Sequence, residues 1–155
     1  HQISVNAASF LPVSAELAQL GRIESVTNTP FDLRNNVRLG DRLTSTHEQV
    51  KMAGGFDHTF VITGDGLRQA AKVIDPYSGR SLTIKTDQPS VQLYTTNTLR
   101  AQGKQGVAYQ SHQGLCLETQ QFPDAPNQKD YPDPTLRPGE MYTATTEFIF
   151  GCINA

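Results

Sequence analysis

The sequence of 155 residues predicts an all-β protein, either a sandwich or one large antiparallel sheet. Three observations support this fold class. Seven or more short segments alternate apolar and polar residues, which is the period of a half-buried strand. Clusters of Gly, Pro, Asn and Asp separate those segments, and only one segment has helical character. The length suffices for a single domain with its own core, and we assign residues 1–155 to one domain.

The first third of the chain mixes short strands with less regular pieces. The segment at 14–20, SAELAQL, predicts one or two helical turns that end at Gly21. The stretch at 32–52 is polar and lacks a clear period, so it predicts a long surface loop. The remaining predictions here are strands around Ile3 and Val5 and at 10–13, and an extended piece that opens at Ile23 and Val26.

The rest of the chain is predicted to be almost entirely strands and turns. Asp75–Gly79 is a hairpin signal between two strands, and Gly64–Gly66 closes the strand before them. The segment at 123–138 contains five prolines and predicts an irregular excursion. The predicted strands are 56–62, 71–74, 81–86, 91–96, 107–109, 115–120 and 142–150.

Composition disfavours two classes of partner. The net charge is −2 and no block of Lys or Arg is present, which argues against nucleic-acid binding. No apolar run approaches the roughly 20 residues of a membrane helix, so no membrane partner is expected. Nothing resembles a signal peptide, and we expect a cytoplasmic protein. The first residue is His1 rather than Met, which indicates a processed or partial chain and leaves an extracellular or periplasmic location open.

Cysteine and histidine spacing predicts no metal site. Cys116 and Cys152 form no metal-binding pattern; buried free thiols are expected, although a disulfide is possible if their strands are neighbours. His58 stands among phenylalanines, which predicts a structural histidine. His112 lies in a loop, which predicts a solvated one. The four histidines are too scattered for a metal centre: His1, His47, His58 and His112.

A carboxylate interrupts the apolar strand at 115–120. Side chains alternate along a strand, so Cys116, Glu118 and Gln120 are predicted to share one face. If that face is half-shielded, burial raises the pKa of Glu118 toward neutrality and makes the residue a candidate general base. The alternative is that Glu118 points to solvent on an amphipathic strand, and the segment by itself leaves both interpretations open.

Two further segments place polar groups on strand faces. Asp57 is predicted to lie opposite Phe56, His58 and Phe60, after a glycine pair that permits close approach of another group. Gln92, Tyr94 and Thr96 are predicted to share a face. Carboxylate, amide and hydroxyl groups in one cleft suit a polyhydroxylated ligand. The alternatives are that Asp57 is a turn residue and that Gln92 and Tyr94 form a plain polar surface.

Several motifs, in order, cover essentially the whole chain and resemble the C-terminal half of the aldose 1-epimerase (galactose mutarotase) family. The motifs that carry the resemblance are Leu11-Pro12-Val13, Thr29-Pro30-Phe31-Asp32-Leu33-Arg34, Gly54-Gly55-Phe56-Asp57-His58, Asp75-Pro76-Tyr77-Ser78-Gly79-Arg80, Gln92-Leu93-Tyr94-Thr95-Thr96-Asn97, Leu117-Glu118-Thr119-Gln120-Gln121-Phe122-Pro123-Asp124-Ala125 with Asn127, and Leu136-Arg137-Pro138-Gly139-Glu140 with Tyr142.

The resemblance implies a fold, an activity and three site residues. Members of this family are large antiparallel β-sandwiches, called supersandwiches, that interconvert the α and β anomers of free aldoses such as galactose and glucose without cofactor or metal. The glutamate of the matching motif acts as the base on the C1 hydroxyl, which implies that role for Glu118. The resemblance likewise implies that Asp57 and Gln92 bind the sugar.

Two departures from the family pattern shape the expectations. The family's acid is a histidine in an upstream Asn-His-x-Tyr-Phe-Asn-Leu motif, and the sequence lacks that motif. We therefore expect the N-terminal half of the sandwich to be absent from this chain, and either an N-terminal mutarotase-half chain or a homodimer as partner, since half a sandwich exposes apolar faces and strand edges. The second departure is Ala18-Gln19-Leu20-Gly21, where the family usually has a Pro-Thr-Gly turn. The alternatives to an enzyme are a non-catalytic carbohydrate-binding or regulatory protein and a purely structural β-domain.

Overall fold

The alternating segments form twelve strands in a computed structural model, which describes residues 1–153. The strands are β1 (Gln2–Val5), β2 (Ala7–Leu11), β3 (Glu24–Ser25), β4 (Val37–Arg38), β5 (Asp57–Ile62), β6 (Arg68–Ile74), β7 (Arg80–Thr86), β8 (Ser90–Tyr94), β9 (Ala101–Gln102), β10 (Ala108–Tyr109), β11 (Cys116–Gln120) and β12 (Thr146–Cys152). Two short α-helices, α1 (Leu39–Leu43) and α2 (Glu48–Ala53), and two 3-10 turns, Lys104–Gly106 and Ala125–Asn127, complete the elements. The two α-helices of this described range have five and six residues, and neither could span a membrane.

Ten of these strands form two five-stranded sheets. Sheet I has the order β12-β7-β6-β1-β4, and sheet II has the order β11-β8-β5-β2-β3. All their pairings are antiparallel, which confirms the predicted antiparallel all-β class. The hairpin predicted at Asp75–Gly79 joins β6 to β7, and β9 pairs with β10 in a small separate ribbon.

The larger of two apolar clusters in the described residues lies between the two sheets. Ile3 and Val73 of sheet I belong to one buried cluster with Phe60 and Val91 of sheet II. Phe31, from the connection between β3 and β4, is fully buried in this cluster, and its ring stacks on that of Phe10 at 4.0 Å. Because the inward faces of both sheets meet in one cluster, the arrangement is a sandwich rather than one large sheet.

The predicted helix at 14–20 is wrong, because this segment is a turn. Leu17 has φ 61°, in the left-handed region, and Val13 pairs with Gln19 as an isolated antiparallel bridge. The Ser14 hydroxyl accepts a hydrogen bond from Glu16 N at 3.2 Å, which offers the backbone a local alternative to helix. A seven-residue segment is also too short to nucleate a stable helix from its own propensity.

The loop predicted at 32–52 is wrong from residue 37 onward, where β4, α1 and α2 occur. The ring nitrogen Nδ1 of His47 caps α2 by accepting a hydrogen bond from Gln49 N at 3.3 Å, and Gly54 ends the helix at φ 67°. Val50 and Ala53 are buried. Helices of five and six residues contain too few apolar positions to show a helical period in the sequence.

The cysteines are both free, as expected, but they are not buried. Cys116 is half-buried on β11 and Cys152 is exposed on β12. The strand predicted to begin at Tyr142 begins instead at Thr146 and extends to Cys152, so the last cysteine lies on an edge strand at the surface.

The edges of the sandwich differ in length. On one side, β3 and β4 have two residues each; on the other, β11 and β12 have five and seven. The hydroxyls of Thr119 and Thr146 lie 2.7 Å apart, which places the two long edge strands side by side. Phe148 and Phe150 of β12 are 54% and 79% exposed. The expected apolar, unpaired edge is therefore present on this side of the sandwich.

Candidate functional site

The three predicted site residues lie on neighbouring strands of sheet II. Gln92 on β8 is directly opposite Glu118 on β11, and Thr59 on β5 is opposite Gln92. Asp57 lies two positions before Thr59, hence on the same face. Directly opposed side chains in an antiparallel pair have Cβ atoms about 4.5–5.5 Å apart. Strand register therefore brings Asp57, Gln92 and Glu118 together, as the alternation predicted.

Hydrogen bonds at both ends hold the Gln92 amide. Gln92 Nε2 donates to Asp57 Oδ1 at 2.7 Å, and Gln92 Oε1 accepts from the hydroxyl of Thr59 at 2.5 Å. Thr59 is fully buried, so its hydroxyl needs such a partner. Asp57 Oδ2 has no hydrogen-bond partner within residues 1–153, which leaves one carboxylate oxygen free to accept from a ligand.

A cavity of about 360 Å³ contains these groups. Its lining is mostly polar, with two carboxylates, three amides and one phenol, and it suits a ligand that both donates and accepts hydrogen bonds. The lining residues are Leu17, Gln19, Asp57, Gln92, Tyr94, Glu118, Gln120 and Pro123. Tyr94 and Gln120 thus join the site as predicted.

Thr96 does not line this cavity, which corrects the prediction that it shares the face of Gln92 and Tyr94. Strand β8 ends at Tyr94, and Thr96 has φ 49°. The left-handed conformation ends the alternation of faces. Its hydroxyl instead donates to Gly114 O at 3.0 Å.

Glu118 is exposed in the described chain. Of the two interpretations that the segment left open, residues 1–153 therefore show the solvent-exposed one. The physical reason is its place on β11, an edge strand of sheet II, where no further strand covers its outer side. Any desolvation of Glu118 must come from a group outside the described part of the chain.

The glycine pair before Asp57 allows neighbouring side chains to pack closely against the backbone. Gly55 has φ 146°, and a Cβ there would lie 2.6 Å from the hydroxyl of Thr95 and would overlap the amide of Asn97. Phe56 N donates to the Thr95 hydroxyl at 2.9 Å, and Asn97 Nδ2 donates to Phe56 O at 3.0 Å. Asp57 is the first residue of β5, so the turn interpretation of this aspartate is wrong.

His58 is structural, as the sequence predicted. It is fully buried; its Nδ1 accepts from Asp57 N at 3.1 Å, and its Nε2 lies 3.2 Å from Gln49 Oε1. This pattern assigns the neutral tautomer with the proton on Nε2. Burial, and to a smaller extent charge repulsion from the nearby His47, lower the pKa of His58 to about 3. His112 is exposed, also as predicted.

We expect the free energy of unfolding to fall as the pH is lowered from about 6.5 toward 3, because of His58. The unfolded histidine takes up a proton near pH 6.5, while the folded one stays neutral to about pH 3, so the unfolded state binds more protons across this window. The slope approaches about 1.4 kcal/mol per pH unit. Urea unfolding at pH 4.5 to 7 measures this slope, and His58→Gln is the control because glutamine does not titrate. Equal slopes in the two proteins would show that His58 does not cause the pH dependence.

The described residues contain no group of three or more His, Cys, Asp or Glu side chains that could hold a metal ion. Two larger cavities, of about 600 and 660 Å³, lie at the β9–β10 ribbon and beside the loop at 28–37. None of the three predicted site residues lines either of them. The candidate site is therefore the smaller cavity on sheet II.

Four residues of the site escaped prediction: Leu17, Gln19, Thr59 and Pro123. Leu17 and Gln19 come from the segment predicted as a helix, where the sequence shows only a departure from the family's turn. Thr59 lies two positions after Asp57 on the same strand, so alternation places both side chains on one face and could have predicted it. Pro123 lies in the proline-rich excursion, which no local pattern positions.

Comparison with known proteins gives consistent matches over the chain. A statistical model of the family described as aldose 1-epimerase matches residues 1–148. Galactose mutarotase of Bos taurus is 44% identical over 153 residues, which are 97% of this chain and 43% of the relative. Aldose 1-epimerase of Escherichia coli is 34% identical over 155 residues, 97% of this chain and 44% of the relative.

A crystal structure of an aldose epimerase homologue from C. elegans superimposes with a TM-score of 0.88 at 29% identity. The match covers 99% of this chain and 46% of that one. The chain thus spans less than half the length of the proteins it matches. The comparisons agree with the sandwich described above.

Proposed function

The chain belongs to the aldose 1-epimerase family. From that premise we propose that it supplies the base and part of the sugar site of an enzyme that interconverts the α and β anomers of free aldoses, such as galactose and glucose. In this proposal residues 1–155 are one domain, the C-terminal part of a larger sandwich. The observation that carries the proposal is the placement of Glu118 opposite Gln92, with Gln92 bonded to Asp57, in one polar cavity.

The proposed reaction needs a base and an acid. Glu118 takes the proton of the C1 hydroxyl while an acid protonates the ring oxygen; the bond between C1 and the ring oxygen breaks and leaves an open-chain aldehyde. Rotation about the C1–C2 bond and closure on the other face give the second anomer, with both protons returned. Asp57 Oδ2 and the Gln92 amide hold sugar hydroxyls, which keeps C1 beside Glu118.

The acid must come from outside the described residues. His58 is buried and neutral to about pH 3, so it cannot donate a proton at neutral pH. We propose that the acid, a histidine by the family resemblance, lies in the part of the family's length that this chain does not span. The same part would cover Glu118, which is exposed in the described residues, and would supply the desolvation that favours a general base.

The long edge strands lie on one side of the sandwich, where the part of the family's length that this chain does not span can bind. Edge strands of two residues, such as β3 and β4, give another chain little to pair with, whereas β11 and β12 present long unpaired edges. Glu118 lies on one of these long edges. Strands added there would extend both sheets and cover Glu118 at the same time. We therefore propose that the N-terminal part of a mutarotase sandwich binds along β11 and β12.

We expect the chain to be found in a complex with this N-terminal part rather than as a stable monomer. Burial of Phe148 and Phe150 supplies apolar contact area, at about 25 cal/mol per Å². Size-exclusion chromatography with light scattering measures the assembly. Phe150→Glu should dissociate it, while Tyr77→Glu, at a residue 97% exposed in the β6–β7 turn, should not. A stable monomer or a homodimer of this chain would contradict the proposal.

The exposure of Glu118 also favours a second candidate, a carbohydrate-binding protein without turnover. One experiment separates the two functions. Freshly dissolved α-galactose and α-glucose are followed by polarimetry with the chain by itself and with its N-terminal partner, while sugar binding is measured in parallel. Anomer exchange above the spontaneous rate supports the enzyme. Binding with only the spontaneous rate in both preparations supports the binding protein.

A further inference from the structure

The turn at 14–21 contributes a polar group to the candidate sugar cavity that the reaction above does not use. Gln19 and Leu17 both line this cavity, together with Asp57 and Glu118. A polar residue that lines the cavity and takes no part in the proposed reaction is a candidate for a further contact with the ligand.

The amide oxygen of Gln19 is buried and accepts no hydrogen bond from any residue in the range 1–153. It is the single buried side-chain oxygen or nitrogen in that range that lacks a partner. An unsatisfied buried acceptor costs free energy, so a native structure retains one only for a reason. In the wall of a polar cavity, a hydroxyl donor from a ligand is the direct way to satisfy it.

The backbone around Gln19 is held in place, so its position is not an accident of a loose loop. Ser14 N donates to Ala18 O at 2.8 Å, and Leu20 N donates to Pro12 O at 3.2 Å, on either side of the Val13–Gln19 bridge. At the end of the turn, Gly21 has φ 69°, and a Cβ there would overlap the side chain of Gln128. The terminal torsion of Gln is broad, so the amide can turn toward the cavity while its backbone stays fixed.

We propose that Gln19 is a specificity-determining residue, whose amide oxygen accepts a hydrogen bond from one ring hydroxyl of the aldose. The proposal rests on the proposed sugar site. Asp57 and Gln92 hold the sugar from sheet II, and Gln19 holds it from the turn across the cavity. An aldose that lacks the hydroxyl facing the turn leaves the amide oxygen of Gln19 unsatisfied and binds more weakly.

The test is sugar binding by the purified protein together with any co-purifying partner. Nuclear magnetic resonance titrations with galactose, glucose and their 2-, 3-, 4- and 6-deoxy analogues are compared between the natural protein and Gln19→Met, which keeps the side-chain size and removes the amide. We expect Gln19→Met to weaken binding of the preferred sugar by about 3- to 10-fold. One deoxy sugar should bind the natural protein more weakly than its parent sugar does. Gln19→Met should not weaken the binding of this deoxy sugar further, because both changes remove the same contact.

Stability separates a sugar contact from a structural role. Because the amide oxygen is unsatisfied without ligand, Gln19→Met should leave the melting temperature unchanged or raise it, whereas loss of a structural hydrogen bond would lower it. Gln69→Met, at an exposed glutamine on β6 of the other sheet, is the matched control and should change neither binding nor stability.

Equal weakening of every sugar by Gln19→Met, or no weakening at all, would overturn the proposal for Gln19. Anomer exchange is measured in the same samples. Sugar binding that depends on Gln19 without exchange would contradict the proposed catalysis and still support the Gln19 contact. A natural protein that binds none of these sugars would contradict both.

Discussion

Glu118→Gln is expected to lower the rate of anomer interconversion by about 10²- to 10⁴-fold, the usual contribution of one general base. The amide keeps the size of the side chain but cannot take the proton from the C1 hydroxyl. Sugar binding should change little, because Asp57 and Gln92 remain in place. The loss should therefore appear in kcat rather than in KM, measured by polarimetry on this chain with any co-purifying partner.

Glu48→Gln is a suitable control for this experiment. Glu48 is also exposed, lies on α2 and does not line the cavity of Glu118. Its substitution removes the same charge and should leave the rate unchanged. Two results would contradict the assigned role of Glu118: full activity of Glu118→Gln, or a loss confined to KM. The second result would make Glu118 a binding residue.

Phe31→Ala is expected to lower the free energy of unfolding by about 3–5 kcal/mol, the range for truncating a buried phenylalanine. Phe31 is fully buried, and its ring centroid lies 4.0 Å from that of Phe10, 4.7 Å from that of His58 and 5.4 Å from that of Phe56. Aromatic pairs of this kind add about 0.5–1.5 kcal/mol beyond the area they bury. Urea unfolding at pH 7 measures the change.

Tyr77→Ala, at a side chain that is 97% exposed, is the control for this truncation and should change the stability by less than about 0.5 kcal/mol. Phe31 belongs to the Thr29–Arg34 motif, one of those that carry the family resemblance. A loss below about 1 kcal/mol for Phe31→Ala would show that the cluster around His58 repacks easily, contrary to the dense core described here.

The strands were predictable where a local period exists. β5, β7, β8 and β11 lie close to the segments that alternation selected. In β8, Val91 and Leu93 are buried in the core, while Gln92 and Tyr94 are half-buried on the other face. The short helices α1 and α2 and the turn at 14–20 were not predictable in this way. Their few residues carry no period, and a left-handed Leu17 has no signature in the sequence.

For the polar site, too, local patterns in the sequence predicted one part and the tertiary structure decided the other. Alternation and the ordered motifs were enough to choose Asp57, Gln92 and Glu118, and the strand register brings them together. The sequence could not decide whether Glu118 is shielded, because alternation tells which face a residue occupies and does not tell whether its strand lies at the centre or the edge of a sheet.

By itself, the sequence determined the all-β class and the family, and it selected Asp57, Gln92 and Glu118 as candidates for the proposed sugar site, because strand period and motif order are local properties of the chain. Only the tertiary structure decided that β11 and β12 form one long open side, that Glu118 lies on it, and that the turn at 14–21 brings Gln19 into the cavity. These facts depend on which strands become neighbours and on which groups find hydrogen-bond partners. Both are set by contacts between residues far apart in the chain.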